Sequence, residues 1–180
     1  MIRVYDDIIP KDLQDYFELI TFGKKNTNNY IYPSIDLKIK YENTAVEDEQ
    51  MPINFVHVLK SSTNLSSHLD NFSHIPLIVC EHLNWSLIDV IAARLFLILP
   101  YETKLEHYAP HVDFNIPHKV VLYYINDADG DTVFFNKDGK IVQKVSPKKG
   151  RVLVFNGELL HGGGIPKKGP RAVVNFDIII

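Results

Sequence analysis

The stretch "KVVLYYINDADGDTVFFNKDGKIVQKVS" (residues 119–146) contains three apolar segments separated by two short polar ones. The apolar segments are rich in β-branched and aromatic residues, which favour strands. "DADGD" (127–131) and "NKDGK" (136–140) have the composition of hairpin turns, because Asp, Asn and Gly adopt the backbone angles that tight turns require. Short strands with such turns between them predict an all-β sandwich or barrel.

The same pattern continues on both sides of this stretch. "RVLVFN" (151–156), "RAVVNFDIII" (171–180) and "TKLEHY" (103–108) are further strand candidates. "LIDVIAARLFLIL" (87–99) also favours a strand, although a helix is possible over its first half. Residues 90–180 are therefore predicted to form a jelly-roll-like double sheet.

The first half of the chain is predicted to support that core. Residues 10–23 have apolar side chains at helical spacing and end at a glycine, which indicates an amphipathic helix. Residues 35–42 alternate like a strand, and 43–75 are ambiguous, with a helix possible over 55–69. The expected fold class is mainly β with N-terminal helices (α+β). We expect one domain over 1–180, in which 1–89 are the support region.

Composition excludes several classes of protein. The net charge is only -3, so nothing in the total indicates a nucleic-acid or membrane partner. Cys80 is the only cysteine, which excludes an intramolecular disulfide and a cysteine zinc site, and its apolar surroundings predict burial. The N-terminus lacks a signal-peptide pattern, and no apolar run is long enough to span a bilayer. We expect a cytoplasmic location.

Two segments contain candidate ligands for a metal. In "HYAPHVDFNIP" (107–117), His111 and Asp113 lie two positions apart, so on an extended chain both side chains point the same way. The pair could be an ordinary hydrogen bond or part of a metal site. His161 precedes three glycines, which are expected to turn the backbone tightly and leave room beside the imidazole.

Arg171 opens a strand and shares a face with Val173 and Asn175. An inward guanidinium needs an anionic partner, because an unpaired buried charge is costly. Two histidines and one carboxylate form the facial triad of non-haem iron, which leaves coordination positions open for a chelating keto-acid and dioxygen. Arg171 would then bind the distal carboxylate of that keto-acid.

These residues and their surroundings resemble the Fe(II)/2-oxoglutarate-dependent dioxygenase superfamily, in particular its prolyl 4-hydroxylase-like branch. The resemblance rests on "HVD", "VLYYIN", "GDTVFFN", "VSPKKGRVLVFNGELLHGGG" and "GPRAVVNF". It implies a double-stranded β-helix core, Fe(II) and 2-oxoglutarate as cofactors, and O2 as co-substrate. It also implies roles for single residues: iron ligands His111, Asp113 and His161; 2-oxoglutarate contacts Arg171 and Tyr124; and an aromatic Tyr108 near the cofactor or substrate.

The implied reaction is hydroxylation of a C–H bond with release of succinate and CO2, on a small-molecule or peptide substrate. The segment before His111 lacks the glycine-containing loop of peptide prolyl hydroxylases. Asp177 occupies the position of a second arginine in the nucleic-acid demethylases, which argues against that branch. His118 is a weaker candidate for the substrate pocket. Two alternatives stay open: a cupin-like metalloenzyme that does not use 2-oxoglutarate, and a non-catalytic jelly-roll binding module.

Overall fold

The computed structural model describes residues 1–25, 31–32, 35, 38–40 and 54–180. Its helices are α1 (Lys11–Phe22), α2 (Leu69–Phe72) and α3 (His74–His82). Its first six strands are β1 (Ile2–Tyr5), β2 (Lys24–Lys25), β3 (Ile31–Tyr32), β4 (Lys38–Lys40), β5 (Asn54–Lys60) and β6 (Asp89–Ile98). The others are β7 (Lys119–Tyr124), β8 (Thr132–Phe135), β9 (Ile141–Val145), β10 (Val152–Asn156), β11 (His161–Gly162) and β12 (Arg171–Ile179).

Two antiparallel sheets form the centre of the molecule. The larger has seven strands in the order β1-β10-β7-β12-β6-β5-β4, and the smaller has three in the order β11-β8-β9. One apolar cluster joins them: Phe134 and Val145 from the small sheet pack with Leu122, Phe155 and Val173 from the large one. This arrangement confirms the predicted jelly-roll double sheet, the double-stranded β-helix.

The opposite face of the large sheet is covered by the helices. Phe17 of α1 stacks on Phe72 at 5.4 Å between ring centroids and meets Tyr123 of β7 edge-on at 5.5 Å. All three rings are fully buried. Because side chains alternate along each strand, one face of the large sheet packs against the helices and the other faces the small sheet. The predicted supporting helix at 10–23 is confirmed.

The N-terminal half also supplies strands to the large sheet. β1 pairs with β10, and β5 pairs with β6. Neither strand was predicted. A helix over 55–69 was wrong, because Val56 and Val58 alternate along an extended β5 that hydrogen-bonds to β6. The predicted strand 35–42 contains β4, and its other residues apart from Ile35 lie outside the described ones, as does most of the predicted polar connection at 24–34.

Two further expectations are corrected or refined in the second half. Residues 103–108 form no strand; His107 makes only an isolated bridge to Gly164. Pro100 and Pro110 border this segment, and proline has no N–H to donate to a sheet. In the 87–99 segment, Asp89–Ile98 form the strand β6, and the helix considered for its first half does not occur. Cys80 is buried in α3 as predicted, although that helix was not. No described helix is long and apolar enough to cross a membrane.

Candidate active site

His111 and His161 are brought together by a short backbone bridge at the edge of the small sheet. The N–H of His111 donates to the carbonyl of His161 at 2.9 Å, and the N–H of His161 donates to the carbonyl of His111 at 3.0 Å. β11 then pairs with β8, which fixes His161 to the sheet. Two loops 50 positions apart in sequence thus present their imidazoles side by side, with 4.7 Å between ring centroids.

The glycines after His161 have a different purpose from the one expected. None of them has a positive φ, so no tight left-handed turn occurs there. A Cβ on Gly162 would come within 2.9 Å of the Tyr108 carbonyl oxygen, and one on Gly164 would overlap the backbone of Asp131. The glycines therefore allow neighbouring backbone to approach closely, and the prediction of a tight turn was wrong.

Each imidazole is held by the same kind of hydrogen bond. Nδ1 of His111 lies 3.0 Å from the carbonyl oxygen of Ala109, and Nδ1 of His161 lies 2.9 Å from that of Leu159. A carbonyl oxygen only accepts, so in both rings Nδ1 carries the hydrogen, and in the neutral ring Nε2 is the nitrogen with the lone pair. This is the tautomer that a metal-binding histidine needs, with the ring orientation set from behind.

Asp113 completes the group. One carboxylate oxygen, Oδ2, lies 3.5 Å from Nε2 of His161, and the ligand atoms of His111, Asp113 and His161 all lie within 4.8 Å of one another. Burial alone would raise the pKa of Asp113, but the contact with His161 and the charges of His161, His111 and Arg94 outweigh it and lower the pKa to about 2. The carboxylate is therefore ionised at neutral pH. Two imidazole nitrogens and one carboxylate form a donor set that suits Fe(II).

A cavity of about 320 Å³ opens beside these side chains, between the two sheets. Its volume is at the low end of the range for small-molecule sites. The apolar part of its wall comes from strands of the large sheet, including Phe96, Leu122, Phe155 and Val173. Its polar part includes Asn54, Arg94, Thr132, Arg171 and Asn175 in addition to the two histidines and Asp113. As predicted by alternation, Arg171, Val173 and Asn175 all face the same side.

Arg171 lies at one end of the cavity and is only 2% exposed. Its Nη2 donates to Thr132 Oγ1 at 3.0 Å, its guanidinium lies 5.6 Å from the centre of the Tyr124 ring, and its Nε has no hydrogen-bond partner. Burial lowers the pKa of Arg171, yet an arginine stays charged in proteins. Among the described residues, no carboxylate forms an ion pair with this cation. The anionic partner that the sequence predicts for Arg171 is therefore not a side chain among the described residues.

The two predicted tyrosines occupy different positions. Tyr108 lines the cavity and is 5% exposed. Tyr124 is fully buried behind Arg171, and its hydroxyl donates to Thr132 Oγ1 at 2.6 Å. It is not among the residues that line the cavity. Tyr124 thus reaches the cavity through Thr132 and Arg171, and its direct contact with a cofactor stays a prediction.

A second polar cluster, which sequence analysis missed, lies at the other end of the cavity. Arg94 Nη1 donates to Asp177 Oδ2 at 3.1 Å and lies 3.9 Å from Asp113 Oδ1. Asn175 lies between the same two carboxylates. His118, a weaker candidate for the pocket, lies behind Asp177 and does not line the cavity. One indication of this cluster was present in the sequence, namely the alternation that places Asn175 on the same face as Arg171.

Comparison with known proteins adds the family. Residues 96–177 match the model of the 2OG-Fe(II) oxygenase superfamily. All six predicted site residues lie inside the match: Tyr108, His111, Asp113, Tyr124, His161 and Arg171. This segment belongs to the 2OG-Fe(II) oxygenase superfamily. Members of the superfamily use Fe(II), 2-oxoglutarate and O2. No curated protein matches the chain significantly.

Solved structures of similar fold cover nearly the whole chain. A prolyl-4-hydroxylase from Pseudomonas putida is 17% identical, with a TM-score of 0.59 over 99% of this chain and 92% of its own. A Trichoplax adhaerens prolyl hydroxylase, solved with a peptide of hypoxia inducible factor, is 11% identical, with a TM-score of 0.61 over 99% and 83%. A collagen prolyl hydroxylase of Paramecium Bursaria Chlorella virus-1 is 12% identical, with a TM-score of 0.59 over 98% and 94%. At these identities the likeness shows that the chain shares their fold.

Proposed function

We propose that this oxygenase is a hydroxylase in which His111, Asp113 and His161 bind Fe(II) and Arg171 binds the distal carboxylate of 2-oxoglutarate. The product of the substrate would be an alcohol, with succinate and CO2 released from the keto-acid. Residues 1–180 would act as one domain, in which 90–180 carry the chemistry and 1–89 complete the large sheet. The cupin-like and non-catalytic alternatives account less well for Arg171.

The observation that carries the proposal is a buried cation without an ion-pair partner among the described residues, facing the same cavity as the three candidate metal ligands. Leaving Arg171 uncompensated costs free energy that a bound dianion would recover. 2-Oxoglutarate fits both demands, because one end chelates a metal and the other presents a carboxylate. A guanidinium can bind that carboxylate with two parallel hydrogen bonds.

The chain's own residues would orient the reactants and keep water out. The Nε2 atoms of His111 and His161, with the Asp113 carboxylate, would hold Fe(II) by three protein ligands and would leave room for the cofactor and dioxygen. Bound Fe(II) with 2-oxoglutarate supplies the oxidising power for C–H cleavage. Phe96, Val173 and their apolar neighbours would hold the substrate carbon next to the metal in a dry environment.

The substrate is proposed only by class. The apolar wall between two polar ends suits an aliphatic carbon in a molecule or side chain that also has polar groups. The similarity in fold to three prolyl hydroxylases supports a peptide or an amino-acid-like substrate, and we do not expect a nucleic acid. A cytoplasmic location also stays a prediction.

An anaerobic titration with Fe(II) and 2-oxoglutarate tests the assignment. Formation of the ternary complex is expected to give a visible metal-to-ligand charge-transfer band. Asp113→Ala and His161→Ala are expected to lose that band and all turnover, since each removes one of three protein ligands. Asp138→Ala is the matched control, because Asp138 is an exposed carboxylate in the β8–β9 turn.

Each contrary outcome excludes a different part of the proposal. Iron binding without any band in the wild-type protein would favour the cupin-like alternative. Absence of iron binding would favour a binding module. A normal band in Asp113→Ala would remove Asp113 from the ligand set.

A further inference from the structure

Asp177 has a fully buried carboxyl group that does not line the cavity. Its Oδ2 atom lies 3.1 Å from Nη1 of Arg94 and 3.5 Å from Nδ2 of Asn175. Burying a carboxylate is costly unless hydrogen bonds compensate it. Asp177 takes no part in the proposed binding of iron or 2-oxoglutarate, so its presence at this depth calls for another role.

Both donors that face Asp177 also face Asp113. Arg94 Nη1 lies 3.9 Å from Asp113 Oδ1, and Asn175 Nδ2 lies 3.5 Å from Asp113 Oδ2. Arg94 and Asn175 are direct partners in the pairing of β6 with β12, and Asp177 follows two positions later on the same face. Each donor is thus held between a buried carboxylate and the carboxylate at the candidate metal site.

We propose that Asp177, acting through Arg94 and Asn175, positions the Asp113 carboxylate for metal binding. The inference rests on the proposed role of Asp113 as an iron ligand. With Oδ1 turned towards Arg94, Oδ2 is the oxygen that faces Nε2 of His161, at 3.5 Å. Asp177 holds Arg94 and Asn175 in place, so they cannot move with the Asp113 side chain if that side chain rotates. The Asp113 carboxylate therefore keeps one orientation before the metal binds.

His118 lies on the other side of Asp177. Its Nε2 lies 3.5 Å from Asp177 Oδ1, and its Nδ1 lies 2.7 Å from the carbonyl oxygen of Ile116, which fixes the ring. A Cβ at position 157 would overlap this ring, so the backbone of Gly157 makes room for it. His118, Asp177 and the two donors therefore lie next to one another behind Asp113.

A second metal bound by Asp113, His118 and Asp177 is the competing explanation, because their ligand atoms also lie within 4.8 Å of one another. The position of Arg94 argues against it. Its guanidinium lies 3.1 Å from Asp177 and would repel another cation held by the same carboxylate. The positive charge next to Asp177 therefore comes from Arg94 and not from a second metal ion.

Iron affinity of Asp177 variants, measured anaerobically without 2-oxoglutarate, tests the proposal. Asp177→Leu removes both acceptor oxygens and is expected to weaken Fe(II) binding about 10- to 100-fold, the usual effect of losing a residue that orients a ligand. Asp177→Asn is expected to stay within about threefold of wild type, because its oxygen still accepts from Arg94 and its N–H₂ can donate to Nε2 of His118. Asp89→Leu, at an exposed ion pair with Lys60, is the matched control.

Further readouts separate positioning from loss of structure. At saturating iron, the affinity of Asp177→Leu for 2-oxoglutarate is expected to be unchanged, since Arg171 is at the other end of the cavity. If Asp177→Leu does not fold, Arg94→Leu replaces it, because Arg94 is a quarter exposed and its side chain can be shortened at less cost. The same loss of iron affinity is expected in that variant.

The outcomes distinguish the two levels of inference. Unchanged iron affinity in Asp177→Leu or in its replacement, with iron lost in Asp113→Ala, overturns the positioning role alone. Iron retained in Asp113→Ala overturns the proposed function and with it this inference. Two equivalents of iron in the wild-type protein, one of which is lost in His118→Ala, would overturn it in favour of a second metal site.

Discussion

The cavity has an arginine at each end, and the two have opposite surroundings. Arg171 is buried beside Thr132 and Tyr124, without a carboxylate partner among the described residues. Arg94 is paired with Asp177 and lies near Asp113. Both belong to one face of the large sheet, since Arg171 and Asn175 lie on one strand and Asn175 is the pairing partner of Arg94. The two positions are four residues apart along the strands, or about 13 Å.

This difference separates a binding group from a supporting group. A buried cation that lacks a counter-charge gains free energy when an anion from solution arrives, and it therefore binds a ligand. A cation that the protein already compensates gains little from a further anion, and it instead fixes the groups around it. The same residue type thus has two roles within one cavity.

The largest effect is expected at the uncompensated end. Arg171→Met should weaken binding of 2-oxoglutarate about ten- to 150-fold, because a charge-assisted contact of this kind contributes about 1.5–3 kcal/mol. Calorimetry of the iron-loaded protein without oxygen measures the change, with Arg151→Met at a partly exposed arginine as control. Equal affinities in wild type and Arg171→Met would remove the contrast between the two ends.

At the end of the cavity where Arg94 pairs with Asp177, a substitution at Gly157 can disturb the packing of His118 behind Asp177. Gly157→Ala would place a Cβ against the His118 ring and push it towards Asp177. Overpacking of this kind is expected to lower the free energy of unfolding by about 1–3 kcal/mol. Urea denaturation measures the loss, and Gly169→Ala is the control because nothing lies within 4 Å of a Cβ there. If both variants were equally stable, His118 would not be packed as tightly as the structure shows.

Arg171→Met is also expected to stabilise the protein when no ligand is present. The substitution removes a buried charge whose Nε has no partner, and an unsatisfied buried polar group costs about 1–3 kcal/mol, part of which is recovered. Thermal melts should therefore show a higher Tm for the ligand-free variant and a smaller rise in Tm when Fe(II) and 2-oxoglutarate are added. A lower Tm without ligand would indicate that the protein itself compensates Arg171.

The partly exposed Arg151 gives the smallest effect and a baseline for the other two arginines. Its hydrogen bond to Asp6 lowers the pKa of that carboxyl to about 2, against the opposing effect of burial and with help from Lys148. A lowered acid pKa contributes stability above the unfolded value near 4, and this contribution is lost as the pH falls from about 4 to 2. Wild type should therefore exceed Asp6→Asn in stability by less than about 1 kcal/mol at neutral pH. Urea denaturation across this pH range should show the difference disappear.

The sequence by itself determined the strand-rich second half and the residue types of the candidate site. Alternation and turn composition are local properties, so the strands from 119 to 180, apart from the two-residue β11, could be predicted from short windows. The chemistry of His111, Asp113, His161 and Arg171 is also a property of the side chains, and their roles as ligands stay predictions. Residues 103–108 were mispredicted because alternation alone does not reveal whether a neighbouring strand is available.

Only the tertiary structure decided what surrounds those residues. Arg94 reaches Asp177 across 83 positions of sequence, and Asn175 reaches Asp113 across 62. Contacts of this kind depend on which strands pair and in which register, and a shift of one residue would turn every side chain to the other face. The glycines after His161 illustrate the same limit, because their reason lies in backbone from remote loops. The residue types in the sequence identify the candidate reactive groups, whereas strand register determines which hydrogen-bond donors contact them.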